Sequence, residues 1–142
     1  MPSDSYGYEA PQTLAQAFPQ VDPQTEPLGA RVLVQIRRVA NTTKSGLVIV
    51  EETKETVKWN NQVGKVIACG PVAFRNRETK EYWPEGAWVQ PGDFIRVPRW
   101  GGDRIEIDMG KNEPPVTFVI FNDHEIIAKV TGDPLAVKAY IL

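Results

Sequence analysis

The chain of 142 residues has the length of one compact domain, and its 42% hydrophobic and 24% charged residues are typical of a protein with an apolar core. Its 16 basic and 18 acidic residues give a net charge of −2, which argues against a nucleic-acid or anionic-membrane partner. A single cysteine and a single histidine exclude an intramolecular disulfide and a cysteine zinc cluster, and leave little material for catalysis. We therefore expect a cytoplasmic, metal-free protein that is not an enzyme, with neither a secretory signal nor a membrane span.

Residues 1–26 differ in composition from the rest of the chain. They contain four acidic residues and four prolines but no lysine or arginine. Such a segment buries little apolar surface, so we interpret it as a mobile or peripherally docked arm whose deletion preserves folding. Within it, Thr13 is a suitable N-cap for one helical turn that reaches Phe18.

The body of the chain is predicted to be all-β. Arg31–Val39 alternates, with Val32, Val34 and Ile36 on one face, which is the pattern of a half-buried strand. The further predicted strands are Val63–Cys69, with Val63, Lys65, Ile67 and Cys69 on one face, then Phe94–Val97, Arg104–Ile107, Val116–Phe121, Glu125–Val130 and Leu135–Leu142. Many short strands separated by Gly and Pro turns indicate a small, partly open β-barrel.

Two long segments interrupt these strands. The segment 40–62 is polar except for the aliphatic run Leu47–Val50, which follows Gly46. This run is either a docking segment or one strand of a hairpin that turns at Glu51–Glu55 and pairs with Thr56–Trp59, and the two interpretations are compatible. The segment 72–90 is rich in charged and aromatic residues.

Five motifs, in order and at workable spacing, resemble the co-chaperonin (GroES) family. They are Pro27-Leu28 followed by Arg31-Val32-Leu33-Val34, the loop motif Lys44-Ser45-Gly46-Leu47-Val48-Ile49, the strand Gly64-Lys65-Val66-Ile67-Ala68-Cys69-Gly70, the turn Pro91-Gly92-Asp93-Phe94-Ile95, and the closing Asp123-His124-Glu125-Ile126-Ile127-Ala128. The resemblance implies a GroES-like barrel at 27–132, with a mobile loop at 40–62 and a roof hairpin at 72–90.

The resemblance also implies a function. Seven subunits would form a ring-shaped lid on a large GroEL-like chaperonin, and the closed complex would enclose an unfolded protein. The large chaperonin itself would bind the ATP, so this chain would need no cofactor. The loop residues Gly46, Leu47, Val48, Ile49 and Val50 would bind the chaperonin. The roof or chamber residues would be Arg75, Arg77, Glu78, Lys80, Glu81, Tyr82 and Trp100. The subunit interface would include Val32, Val34, Ile126 and Ile127.

Several features depart from the family pattern. They are the arm 1–26, the extension 133–142, the long loop, the connection Asp108–Pro115, and Ala30 in place of the usual Asp. The divergence suggests a virus-encoded member that serves viral proteins such as capsid protein, in the host cytoplasm. The extension would cover either a neighbouring subunit or its own barrel. The alternatives are a viral structural or particle-decoration barrel and an oligonucleotide-binding barrel.

Overall fold

The computed structural model of the chain describes residues 13–38, 41–42, 48–49, 63–98, 101–110 and 113–136. The elements are, in chain order, helix α1 (Leu14–Ala17), β1 (Arg31–Ile36), β2 (Asn41–Thr42), β3 (Val48–Ile49), β4 (Val63–Cys69), β5 (Phe94–Arg96), β6 (Asp103–Ile107), β7 (Val116–Asn122), a 3₁₀ turn (Asp123–Glu125) and β8 (Ala128–Lys129). Among the described residues no helix has the length and apolar character that crossing a membrane requires.

The main sheet has six antiparallel strands in the order β6-β7-β1-β4-β5-β8, so β6 and β8 form its edges in the described part of the chain. Strands β2 and β3 form a separate two-stranded sheet. This arrangement confirms the prediction of a small all-β, partly open GroES-like fold. Because β1 is central and pairs with both β4 and β7, it organises the whole sheet.

The inner face of the sheet forms the largest apolar cluster. Val32, Val34 and Ile36 of β1 pack there, as their alternation predicts, and each is at most 2% exposed. The other buried members are Val66, Ala73, Phe74, Val89, Ile95, Val97, Val119, Phe121 and Ile126. The segment 72–90 therefore contributes to the core of the barrel through its two ends.

The outer face of β1 is buried as well at Leu33 and Gln35, contrary to the prediction of a half-buried first strand. Leu33 and Gln35, which point to this face, are 0% and 1% exposed. Leu33 packs with Val116 and Phe118, and Val21 covers this cluster. The Gln35 Nε2 donates to the Pro19 carbonyl at 2.8 Å, so the buried polar side chain on this face of β1 is satisfied.

The segment that covers the outer face belongs to the predicted arm. Helix α1 has the expected Thr13 cap, with the Thr13 hydroxyl accepting from Gln16 N at 3.2 Å. Ala17 and Phe18 are 0% and 5% exposed and pack on Val63. Part of the arm, residues 16–21, is thus peripherally docked, which is one of the two expected states of the arm. That deletion of residues 1–26 preserves folding stays a prediction, and the burial of Ala17 and Phe18 gives a physical reason to expect a loss of stability.

A β-bulge in β4 changes which residues share a face. Val34 pairs with Val66 but Leu33 pairs with Ala68, so Ile67 is the extra residue. Cys69 consequently joins the inner cluster, whereas Val63 packs on the outer side. The prediction that Val63 and Cys69 lie on one face is wrong, because one inserted residue exchanges the faces of a strand.

Gly64 and Gly70, at the two ends of the strand motif, lie so close to neighbouring atoms that no side chain fits there. A Cβ on Gly64 would collide with Val34 Cγ1, and a Cβ on Gly70 would collide with the carbonyl oxygen of Gly29. Neither glycine has a positive φ, so packing and not backbone conformation selects glycine at both positions.

The carboxyl-terminal part differs from the predicted strands. In place of a strand over Glu125–Val130, the chain forms the 3₁₀ turn and then the two-residue β8. Leu135 lies in a turn, where its amide donates to Asp133 Oδ1 at 3.0 Å, and its side chain packs on the cluster of Ala17 and Phe18. This start of the extension folds back on its own chain; residues 137–142 lie outside the described residues.

Candidate functional site

The segment predicted as a roof contains a compact turn over residues 75–82. An isolated antiparallel bridge joins Arg75 and Tyr82. The Asn76 amide donates to the Glu81 carbonyl at 2.7 Å, and Asn76 Oδ1 accepts from the amides of Glu78 and Thr79 at 2.8 and 3.3 Å. The side-chain acceptor of Asn76 replaces a backbone acceptor and stabilises the turn, a common role of asparagine.

The predicted roof residues lie on or next to this turn. Arg77, Glu78, Lys80, Glu81 and Tyr82 are exposed, and Arg75 is half-buried. The Arg75 Cζ lies 4.0 Å from the centroid of the Tyr82 ring, and Arg75 Nη1 donates to the Lys80 carbonyl at 2.9 Å. The turn therefore presents charged groups to solvent from a fixed backbone. Trp100, the remaining residue of that prediction, lies outside the described residues.

An aromatic cluster of Phe74, Trp83 and Trp88 lies between the turn and the core of the barrel. Phe74 is 1% exposed, and its ring centroid lies 6.0 Å from that of Trp83 and 5.8 Å from that of Trp88. The Trp83 and Trp88 centroids are 4.9 Å apart. These separations are typical of packed aromatic pairs, so both tryptophans attach the segment to the core.

Asp123 links the base of the roof turn to the sheet, a role that the sequence does not reveal. Its carboxylate accepts from the amides of Phe74 and His124, both at 2.8 Å, and its own amide donates to the Ala30 carbonyl at 2.9 Å. The carboxylate is therefore satisfied although the residue is only 4% exposed. Phe74 has a φ of +62°, an unusual conformation for an aromatic residue, and the Asp123 bond helps to hold it.

The described part of the aliphatic run, Val48 and Ile49, lies outside the main sheet. Val48 and Ile49 form β3, which pairs with β2 in the register Thr42 to Val48 and Asn41 to Ile49. This pairing differs from the hairpin alternative, in which the partner strand follows the run. Gly46, Leu47 and Val50 lie outside the described residues, as do residues 56–59.

The four residues predicted at a subunit interface differ in how far their own chain buries them. Val32 and Val34 are 0% exposed and Ile126 is 6% exposed, all within the inner cluster of their own chain. Strand β1 is also paired along both edges, so it offers no free edge to a neighbour. Ile127, in contrast, is 52% exposed beside the edge strand β8. Ile127 is therefore the one of these four residues that the single chain leaves exposed, and the subunit interface itself stays a prediction.

The described residues contain no group of three or more His, Cys, Asp or Glu side chains arranged to hold a metal ion. His124 Nδ1 lies 3.6 Å from Asp123 Oδ1, next to the roof turn. Burial raises the pKa of the Cys69 thiol, and the Asp93 charge adds to that effect. A thiol with a raised pKa is a poor nucleophile, so Cys69 contributes to packing.

Residues 24–130 match the family "Chaperonin 10 Kd subunit". The chain belongs to this family. The match confirms the resemblance inferred from the five motifs, and it includes the roof turn and the segment that carries β2 and β3.

Individual relatives agree with the family match. The co-chaperonin GroES of Syntrophomonas wolfei subsp. wolfei is 35% identical over 106 residues, which cover 74% of this chain and 96% of the relative. The mitochondrial 10 kDa heat shock protein of Saccharomyces cerevisiae is 35% identical over 107 residues, or 75% of this chain and 89% of the relative. The co-chaperonin GroES of Methylacidiphilum infernorum is 31% identical over 112 residues, with coverages of 79% and 99%.

Proposed function

We propose that this member of the chaperonin 10 family is a co-chaperonin, a ring-shaped lid of seven subunits on a large GroEL-like chaperonin. The observation that carries the proposal is the family match over residues 24–130, which spans the segment with the aliphatic run. The chain has no catalytic role in this proposal: the large chaperonin binds ATP, and the lid closes a chamber around an unfolded protein in the cytoplasm.

In this proposal Gly46–Val50 binds the large chaperonin. Among the described residues, Val48 and Ile49 pair with β2 and not with the six-stranded sheet, which supports a role outside the barrel. Burying one aliphatic side chain contributes about 1.5–3 kcal/mol at most, and ordering a backbone costs about 1–2 kcal/mol per residue. A single loop therefore binds weakly, whereas several loops on one ring gain affinity through effective concentration.

The exposed charges of the roof turn suit a surface that faces the chamber. A polar lining favours release of an enclosed chain, because it offers little apolar surface to bind unfolded segments. The departures at both termini favour a virus-encoded member that serves viral proteins such as capsid protein. That origin would place the ring in the host cytoplasm.

The binding role is tested by the double substitution Val48→Ser and Ile49→Ser. We expect loss of the capped complex with a purified GroEL-like chaperonin and ATP, with folding and ring size unchanged. The matched control is Leu14→Ser, which removes an aliphatic side chain that is 45% exposed and lies outside the family match. Unfolding or dissociation of the double variant would show that the run is structural and contradict the proposed role.

Mass in solution tests the assembly. A co-chaperonin should sediment as a ring of about seven subunits. A particle-decoration barrel would be a monomer or trimer, and an oligonucleotide-binding barrel would show an affinity for nucleic acid that falls with salt. Either of the last two results would replace the proposed function.

A further inference from the structure

Two chain segments outside the family match meet at one apolar cluster. Ala17 and Phe18 come from the amino-terminal extension, and Leu135 comes from the carboxyl-terminal one. They pack on Val63 and Phe94 of the barrel, with the Phe18 and Phe94 ring centroids 5.1 Å apart in an edge-to-face arrangement. The two extensions thus share one attachment site through Ala17, Phe18 and Leu135.

Backbone carbonyls of both extensions accept hydrogen bonds from two consecutive arginines. The Arg38 amide donates to the Ala17 carbonyl at 2.8 Å, and Arg38 Nε donates to the Gln16 carbonyl at 3.2 Å. Arg37 Nη1 donates to the Leu135 carbonyl at 3.3 Å. Burial lowers the pKa of Arg37, and the Asp133 carboxylate on the same extension opposes that effect. Arg38 also forms an ion pair with Glu113 at 3.0 Å.

The residues that hold the two extensions lie at both ends of the segment 39–62. Arg37 and Arg38 are the last described residues before the segment 39–62, and Val63 is the first residue after it. The Arg37 amide donates to the Val63 carbonyl at 3.2 Å, which joins the two ends directly. Both ends of the segment are therefore held at the point where the two extensions dock.

We propose that the two terminal extensions form a clamp that positions the chaperonin-binding segment. This terminal clamp consists of Gln16–Phe18 and Leu135 on Arg37, Arg38 and Val63. The inference rests on the proposed function, since it assigns the clamp a role in chaperonin binding. By fixing both ends of the segment, the clamp reduces the number of residues that must be ordered on binding, and thus raises affinity.

Hydrogen–deuterium exchange tests the clamp without a chaperonin. The variants Phe18→Ala and Arg38→Gln remove its apolar and its polar part. We expect exchange in peptides 31–38 and 63–69 to become about tenfold faster in both, because the local opening free energy falls. Arg31→Gln is the matched control, since Arg31 lies on β1 at the opposite end from the clamp. Unchanged exchange in folded variants would overturn the clamp.

Binding to a purified GroEL-like chaperonin with ATP tests the positioning role. We expect both clamp variants to bind about tenfold more weakly, since ordering one further residue costs about as much as a tenfold change in Kd. Ile105→Ala, which removes a half-buried side chain on the edge strand β6, controls for stability alone. Equal weakening in this control, or full binding with faster exchange, would overturn the positioning role. Absence of wild-type binding would instead overturn the proposed function, and the exchange result would still decide whether the clamp exists.

Discussion

The two faces of the six-stranded sheet are closed by segments of different origin. The inner face is closed by residues 72–90, which lie within the family match and insert Phe74 into the core. The outer face is closed by residues 17–21, which lie before the match and place Phe18 and Val21 on the sheet. The same sheet therefore combines a covering shared with the family and a covering added by this chain.

Both covering segments have a buried backbone group that is hydrogen-bonded to a side chain of the barrel, but the side chains differ. On the inner side the Asp123 carboxylate accepts from the Phe74 amide at 2.8 Å. On the outer side the Gln35 amide donates to the Pro19 carbonyl, also at 2.8 Å. Each bond joins a buried side chain to the backbone of a covering segment. A covering segment thus depends on specific polar partners as well as on apolar burial, because its buried backbone groups must be paired.

The largest effect is expected from Phe74→Ala, which empties the centre of the inner covering. Phe74 is 1% exposed and contacts both Trp83 and Trp88, so its loss should lower the free energy of unfolding by about 3–5 kcal/mol in urea denaturation. Tyr82→Ala is the control, because Tyr82 is 51% exposed on the same segment. Equal losses in the two variants would show that the covering is not part of the core.

A smaller effect is expected from Phe18→Ala on the outer covering. Phe18 is 5% exposed and packs on fewer residues, so we expect a loss of about 2–3 kcal/mol by the same measurement. Leu14→Ala on the same helix is the control, since Leu14 is 45% exposed. If Phe18→Ala costs no more than this control, residues 13–26 are not docked and the two coverings are not comparable.

The polar bond of the inner covering is tested by Asp123→Ala. We expect a loss of about 2 kcal/mol, because the buried Phe74 amide loses a charged acceptor. Asp123→Asn keeps an acceptor oxygen at the same position and should recover part of the stability. The midpoints of thermal unfolding of wild type and both variants measure these stability differences. Identical midpoints for wild type and Asp123→Ala would show that the carboxylate does not anchor the roof turn.

The smallest effect is the change in folding stability with pH that arises from Cys69 on the inner side of the sheet. Its pKa is raised in the folded protein by burial and by Asp93, so folding favours the neutral thiol. The resulting stabilisation is present below the ordinary thiol pKa and is lost as pH rises through the raised one. Urea denaturation between about pH 8 and 10 should show this loss, and Cys69→Ala should remove it. Faster iodoacetamide labelling of the native than of the unfolded protein would contradict the raised pKa.

Local patterns were sufficient for most strands and for the helix. The bounds of β4 were predicted as observed, and Thr13 caps α1 as expected from its side chain. The alternation of Val32, Val34 and Ile36 correctly assigned the inner face. These features depend on residues that are near neighbours in the chain, so the sequence alone determines them.

Features that depend on distant segments were decided only by the tertiary structure. The outer face became buried because Pro19 and Val21 lie on it, and the proline-rich composition of that segment concealed Ala17 and Phe18. The bulge at Ile67 exchanged the faces of β4, and pairing of β1 on both sides placed Val32 and Val34 in the core of their own chain. Asp123 and Phe74 are far apart in sequence, and their hydrogen bond exists only once the sheet and the segment 72–90 have packed together. The physical reason is common to all four: burial and hydrogen-bond partners are properties of packed pairs, and a single sequence shows only one member of each pair at a time.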